Sequence, residues 1–275
     1  MIKEKRVQVI EREFRYTSRK EVFKIIPFGD VHAGSIACDE DAVEHKLKEL
    51  AEPNTYAIGM GDWFDAILRK DKRFMSGGLA PWVREDDIIE SQREWVERHI
   101  KPYRRKFIAW LTGNHEETVH QEWQDDVTGH ICNDLGIPYG GYACFIQLKF
   151  QRGDGNRLYR RIHAWHGAGA STTDGAQMQR LTRLVHKFDA DIYLMGHLHA
   201  KKAAWPERIT LYQGKVKALQ QLAAITGSWL KGYYQPADDS PKAPSYVEVS
   251  GYPPTAIGSI DIYINPDKQR IWQSG

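Results

Sequence analysis

The chain of 275 residues is poor in cysteine, has no long apolar run and carries almost no net charge. Each shortage excludes something. The three cysteines, Cys38, Cys132 and Cys144, are an odd number without metal-type spacing. No disulfide framework is expected, and a reducing compartment fits best. No stretch of 18 apolar residues occurs, which argues against a transmembrane helix. The charged start, Met1-Ile2-Lys3-Glu4-Lys5-Arg6, lacks the apolar core of a signal peptide, so a cytoplasmic, non-membrane protein is expected. With 38 Lys+Arg against 36 Asp+Glu, the net charge of +2 does not by itself announce a nucleic-acid binder. Hydrophobic residues at 41% and charged residues at 27% are ordinary for a folded globular chain and exclude a disordered one. Histidine alone is abundant: there are 11, where average usage gives roughly six.

Short apolar runs alternate with helical patterns. Residues 7–16, 22–28, 54–60, 106–111, 191–195 and 257–264 read as strands, and two further strands flank the Gly153-Asp154-Gly155-Asn156 turn as a hairpin. Residues 39–50, 85–100 and 177–188 carry helical spacing. This alternation predicts an α/β architecture. The expectation is a single domain over 1–275, with a loop region rich in Tyr, Gly and Pro at about 229–255.

The strand-like runs repeatedly end at a glycine followed by a residue able to do chemistry. The series is Gly29-Asp30-Val31-His32, Gly61-Asp62-Trp63-Phe64-Asp65, Gly113-Asn114-His115-Glu116, His166-Gly167 and Gly196-His197-Leu198-His199. Sites in open α/β sheets form where loops leave the carboxyl ends of strands. Imidazole and carboxylate together suit divalent transition ions. One Asp-x-His or one Gly-His-x-His carries little weight, but the ordered set is a strong signal.

The ordered set resembles the calcineurin-like metallophosphoesterase superfamily over roughly residues 25 to 200. The resemblance implies a four-layer αββα sandwich, two mixed β-sheets flanked by helices, with a two-metal site at the strand ends. It implies that Asp30, His32 and His199 hold one metal, that Asn114, His166 and His197 hold the other, and that Asp62 bridges both. It gives His115 the role of a catalytic, non-ligand histidine and Asp65 that of its acid partner. The implied cofactors are two divalent ions, manganese first, with zinc, iron or nickel as alternatives. The implied chemistry is in-line attack on phosphorus by a hydroxide held between the metals. The chain departs from the protein phosphatases of the superfamily, in which Arg-Gly follows the second motif. Here Ala66-Ile67-Leu68 follows Asp65. The 229–255 region is similar to that of metallophosphoesterases encoded in phage and prophage genomes.

The basic run Arg69-Lys70-Asp71-Lys72-Arg73 adjoins the second motif and could meet a polyanion, or could be a solvated loop. Lys101 to Lys106 and the hairpin arginines Arg152, Arg157, Arg160 and Arg161 have the same two readings. Gly167-Ala168-Gly169 lacks the Gly-Lys-Ser/Thr of a phosphate-binding P-loop. Thr172, Thr173 and Asp174 read as a helix N-cap region. His45, His99, His120, His130, His163 and His186 fall outside the motifs and need no special role. The leading expectation is a phosphodiesterase acting on a phosphate ester, DNA, RNA or a nucleotide. The alternatives are a phosphomonoesterase or nucleotide pyrophosphohydrolase, and a non-catalytic metal-bound scaffold.

Overall fold

The computed structural model describes residues 7–71, 73–75, 77–155, 157–233 and 246–275, with Tyr246 described by its backbone alone. Lys72 and Ser76 of the basic loop, Asn156 of the hairpin turn and residues 234–245 of the expected loop region lie outside the described residues. Chain order begins β1 (Gln8–Tyr16), β2 (Phe23–Phe28), α1 (Glu40–Lys48), β3 (Thr55–Met60), α2 (Ile88–Ile100), β4 (Phe107–Leu111), α3 (Asn114–Trp123), α4 (Val127–Leu135) and β5 (Tyr139–Gly141). It continues with β6 (Ala143–Arg152), β7 (Arg157–Trp165), α5 (Asp174–Lys187), β8 (Ile192–Met195), β9 (Lys201–Ala204), β10 (Glu207–Tyr212), β11 (Lys215–Gln220) and β12 (Leu222–Ser228). The last elements are α6 (Tyr246–Val249), β13 (Gly258–Ser259), β14 (Asp261–Asn265) and β15 (Arg270–Ser274).

Two mixed sheets result. The first runs β1-β6-β7-β8-β12-β13, with β9 also paired to β12; the second runs β15-β14-β2-β3-β4-β5. In the second sheet β2, β3, β4 and β5 are parallel, whereas β14 joins β2 antiparallel. In the first, β7, β8 and β12 are parallel. Among the described residues the β10–β11 hairpin pairs only with itself, and it is largely exposed along both strands.

Burial explains the strand sequences. One apolar cluster joins Phe14, Ile146, Phe150, Ile162 and Leu194 of the first sheet to Phe23, Ile58, Met60 and Leu111 of the second, so the sheets pack face to face. The outer face of the second sheet meets Val43 and Leu47 of α1, Trp95 and Val96 of α2 and Ile131 of α4. The outer face of the first meets Leu181 and Leu184 of α5. Strands covered on both faces, such as β4 (Phe-Ile-Ala-Trp-Leu) and β8, are apolar throughout rather than alternating. Beside them Phe28 stacks on Trp63 and Trp229, and Trp63 contacts Trp110. Trp63 belongs to the loop that leaves β3, and the Trp229 N–H donates to Asp30 O in the loop that leaves β2 (3.0 Å).

The α/β expectation, the 153–156 hairpin and most predicted spans agree with the structure. Two differ. The helix predicted over 85–100 begins at Ile88, because Arg84 and Asp87 close a turn first. The strand predicted over 257–264 is two pieces: β13 pairs with β12 of one sheet and β14 with β2 of the other. The chain changes sheets at Ile260.

Candidate metal centre

The carboxyl ends of β2, β3, β4, β7 and β8 converge, and their first loop residues are stitched together by backbone. The Asp30 N–H donates to Gly61 O (2.9 Å), and Val31 and His32 both donate to Asp62 O (2.8 and 3.0 Å). Asp30, His32, Asp62, His197 and His199 all have left-handed backbone, with φ of 51°, 52°, 49°, 68° and 50°. For a residue with a Cβ that conformation costs roughly 1–2 kcal/mol. Such strain persists where the surroundings over-determine it, and it clusters at functional sites. Two crossings require glycine. A Cβ on Gly113 would stand 2.1 Å from Asp62 Oδ1, and one on Gly196 would stand 2.9 Å from Asp30 Oδ2.

Among the described residues these loops assemble three donor groups, Asp30-His32-His199, Asp62-His166-His197 and, sharing His32, His32-Asp65-His115; the first two contain the expected ligands. In the first, His32 Nε2 faces His199 Nε2 at 3.1 Å, and Asp30 Oδ1 lies 3.4 Å from His199 Nε2. In the second, His166 Nε2 lies 3.2 Å from Asp62 Oδ2 and 3.1 Å from Asn114 Oδ1. The same Asp62 Oδ2 is 3.9 Å from His32 Nε2, so this carboxylate stands between the groups. Donors about 2.1 Å from one ion stand roughly 3.0 Å apart at a right angle and 3.4 Å apart at the tetrahedral angle. The separations of 3.1–3.4 Å given above match that range. Two imidazole nitrogens at 3.1 Å repel unless a proton or a cation stands between them. The residues therefore fit divalent metal ions, and the buried His/Asp groups could hold them.

Orientation is fixed from behind. His166 Nδ1 donates to Met60 O (2.7 Å), which directs the Nε2 lone pair into the site. The His197 N–H donates to both oxygens of Asp30 at 3.0 Å. The His115 N–H, at the start of α3, donates to Asp62 Oδ1 (3.0 Å). Electrostatics follow from burial. Burial opposes charge on Asp62, yet His166, His115 and His32 hold its carboxyl well below the usual range. Burial alone would lower His166, but Asp62 raises it to about 10. Burial, aided by His166, pushes His197 down to about 4, and burial with His115 lowers His32.

The pairing expected between Asp65 and His115 takes a different form. His115 Nδ1 makes a very short contact with the backbone carbonyl of Asp65, not with its carboxylate. The Asp65 carboxylate turns toward His32, with Oδ1 3.5 Å from His32 Nδ1. The left-handed bend at Ala66 turns the chain at this point. On its other side, His115 Nε2 accepts from Arg73 Nη1 (2.9 Å).

Two residues named within the sequence motifs and the basic run, but given no individual role there, have parts in the site. Glu116 closes the third motif and is buried. Its Oε1 accepts from the N–H groups of Trp63 (2.7 Å) and Phe64 (3.2 Å), and its Oε2 from Asp62 (3.1 Å) and Gly113 (2.8 Å). It ties the β3 loop to the start of α3. Its glutamate-at-N3 position, three residues after the N-cap, was the available signal. Burial, reinforced by Asp62, pushes its pKa up to about 7, against the pull of the N–H groups. Arg73 is the second. Arg69 instead pairs with Glu85 (2.5 Å), and Lys70 lies over the Trp123 ring.

The groups open on a cleft of about 550 Å³ whose lining includes Arg73, Phe74, Tyr142, Ser171 and Tyr252. Residues Gly77 and Gly78 also line it, so the basic loop does form a wall of the site. The Gly167–Ser171 loop borders the cleft, held by Arg180, which donates to Ala168 O (2.7 Å) and Ser171 Oγ (2.5 Å). Thr173 caps α5, as its sequence predicts. The hairpin arginines have structural partners: Arg161 pairs with Asp189 (2.6 Å) and Arg152 with Asp267 (3.5 Å). Of the remaining histidines, His99 stacks on Trp95 and His163 lies against Phe145 and Phe188. No protein-family model matches this chain, and no curated protein matches it.

Proposed function

We propose that this chain is a metal-dependent phosphodiesterase of the calcineurin-like kind, built as a four-layer αββα sandwich. The observation that supports it most is the pair of His/Asp groups at metal-ligand spacing, with Asp62 between them. In this reading Asp30, His32 and His199 hold one cation, Asn114, His166 and His197 hold a second, and Asp62 serves both. Two cations, manganese foremost, would clamp the attacking and leaving oxygens of an in-line displacement and make a bound water acidic.

The protein's own groups do the rest. The backbone bonds from His197 to Asp30 and from His115 to Asp62 hold both carboxylates in place before any ligand arrives. With Nδ1 engaged on the Asp65 carbonyl, His115 presents Nε2 to the cleft. Nε2 accepts from Arg73 Nη1, so to act as the acid it would first take a proton from solvent and then pass it to the leaving oxygen. Phe74, Tyr142 and Tyr252 offer flat surfaces to a nucleoside or aryl group, which favours a nucleotide or nucleic-acid substrate. The test is turnover of an aryl phosphodiester with Mn²⁺, alongside an aryl monoester and the Asp62→Asn variant. Diester turnover lost in Asp62→Asn supports the reading. Wild type and variant alike inactive on both esters with every metal would refute it, and monoester turnover alone would refute the diester preference.

A further inference from the structure

On that reading of the site, we infer that Arg73 is the residue that grips a non-bridging oxygen of the substrate phosphate. Nothing in the motif series supplies a guanidinium, because Ala66-Ile67-Leu68 follows Asp65. The structure brings one in from the next turn of the same loop. Arg73 lines the cleft and donates from Nη1 to His115 Nε2 (2.9 Å). The His115 ring in turn stands edge-on to His32, with centroids 4.6 Å apart, and its backbone holds Asp62. A phosphate oxygen against the two donor groups would therefore lie beside Nη1.

The guanidinium is held for this purpose from the opposite edge. Asp71 accepts from Nε (3.1 Å) and Nη2 (2.7 Å), and also from the Arg73 backbone N–H (2.8 Å). This fork leaves Nη1 directed into the cleft and fixes its plane, so little rotamer entropy remains to be lost on binding. The loop is itself anchored. Leu68, Phe74 and Leu79 pack on Ala80, Val83 and Ile88, and Gly78 O accepts from the Ile36 N–H (2.9 Å).

The test uses the Mn²⁺-loaded full chain as wild type, Arg73→Ala, Arg73→Lys and Arg69→Ala. Three quantities are measured: affinity for inorganic phosphate by calorimetry, KM and kcat on an aryl phosphodiester, and metal content. Expected for Arg73→Ala is a loss of phosphate affinity and a rise in KM of about 10- to 100-fold, the value of a charge-assisted hydrogen bond, at unchanged metal content. Arg73→Lys should recover part of both, and Arg69→Ala should stay within about twofold of wild type. Phosphate affinity within about twofold of wild type in Arg73→Ala, with only kcat reduced, would overturn the inference and leave Arg73 a positioning residue for His115. Wild type that neither binds phosphate with Mn²⁺ nor turns over any ester would instead overturn the phosphoesterase reading, and this inference with it.

Discussion

Replacing Glu116 by glutamine should damage both the fold and the metal centre, although Glu116 touches neither donor group as a ligand. The carboxylate accepts four buried backbone N–H groups, two on each oxygen. An amide keeps one acceptor oxygen and turns its NH2 toward the other two donors. Two hydrogen bonds to a charged group are lost, each worth about 1.5–3 kcal/mol. A loss of roughly 3 kcal/mol or more is expected, a large share of a typical stability of about 5–15 kcal/mol. The midpoint of thermal unfolding should fall by about 6–12 °C, at roughly 2–4 °C per kcal/mol for a chain of this size. The measurement belongs at about pH 8, because burial pushes the Glu116 pKa up to about 7. Because the same bonds hold the Asp62 and Asn114 loops in register, metal affinity should weaken about 10- to 100-fold. Denaturant unfolding of metal-free Glu116→Gln and wild type gives the first number, and a metal titration the second. A variant within about 0.5 kcal/mol of wild type, with unchanged metal affinity, would refute the claim that Glu116 organises these loops.

Other outcomes follow from the same contacts. His163 is buried and its pKa is pushed from 6.5 down to about 4. The unfolded chain therefore binds the extra proton, and stability that is intact above pH 6.5 is lost as pH falls toward 4, by about 2 kcal/mol at pH 5. His163→Phe should flatten that acid limb; denaturation curves at pH 5 and pH 7.5 that shift equally in both proteins would contradict it. His115→Ala should keep its metals, since His115 belongs to neither proposed ligand set, while turnover on an aryl phosphodiester falls about 100-fold or more, as for loss of a general acid. Elemental analysis showing the metals gone from that variant would make His115 a ligand instead.

Much of the donor set was legible in the sequence because a glycine and a ligand-type side chain recur after each apolar run. Asp30, His32, Asp62, Asn114, His166, His197 and His199 all reach the two groups or their immediate contacts. What escaped depends on atoms a sequence does not display. The partner of His115 is a backbone carbonyl, and only the left-handed bend at Ala66 turns that carbonyl, not the Asp65 carboxylate, toward the ring. The basic loop reads as one cluster of charge, yet Glu85 and Trp123 take Arg69 and Lys70, and Arg73 alone of these three enters the cleft. Helix α3 begins inside a motif, at Asn114, so its helical period is masked by the residues that do chemistry. Strand β12 (Leu-Ala-Ala-Ile-Thr-Gly-Ser) is buried along its whole length, so it lacks alternation, and it has only two bulky apolar side chains, Leu222 and Ile225, to mark it.

The central claim is that Asp62 joins two cations into one centre. Two ions sharing a carboxylate lie a few ångströms apart and couple magnetically. Electron paramagnetic resonance of the Mn²⁺-loaded protein reads this directly, without any assumption about substrate. The expected spectrum is the multiline signal of a coupled Mn²⁺ pair, collapsing to that of an isolated ion, or vanishing, in Asp62→Asn. A wild-type spectrum showing only the six-line signal of isolated Mn²⁺ at saturating metal would contradict a shared two-metal site.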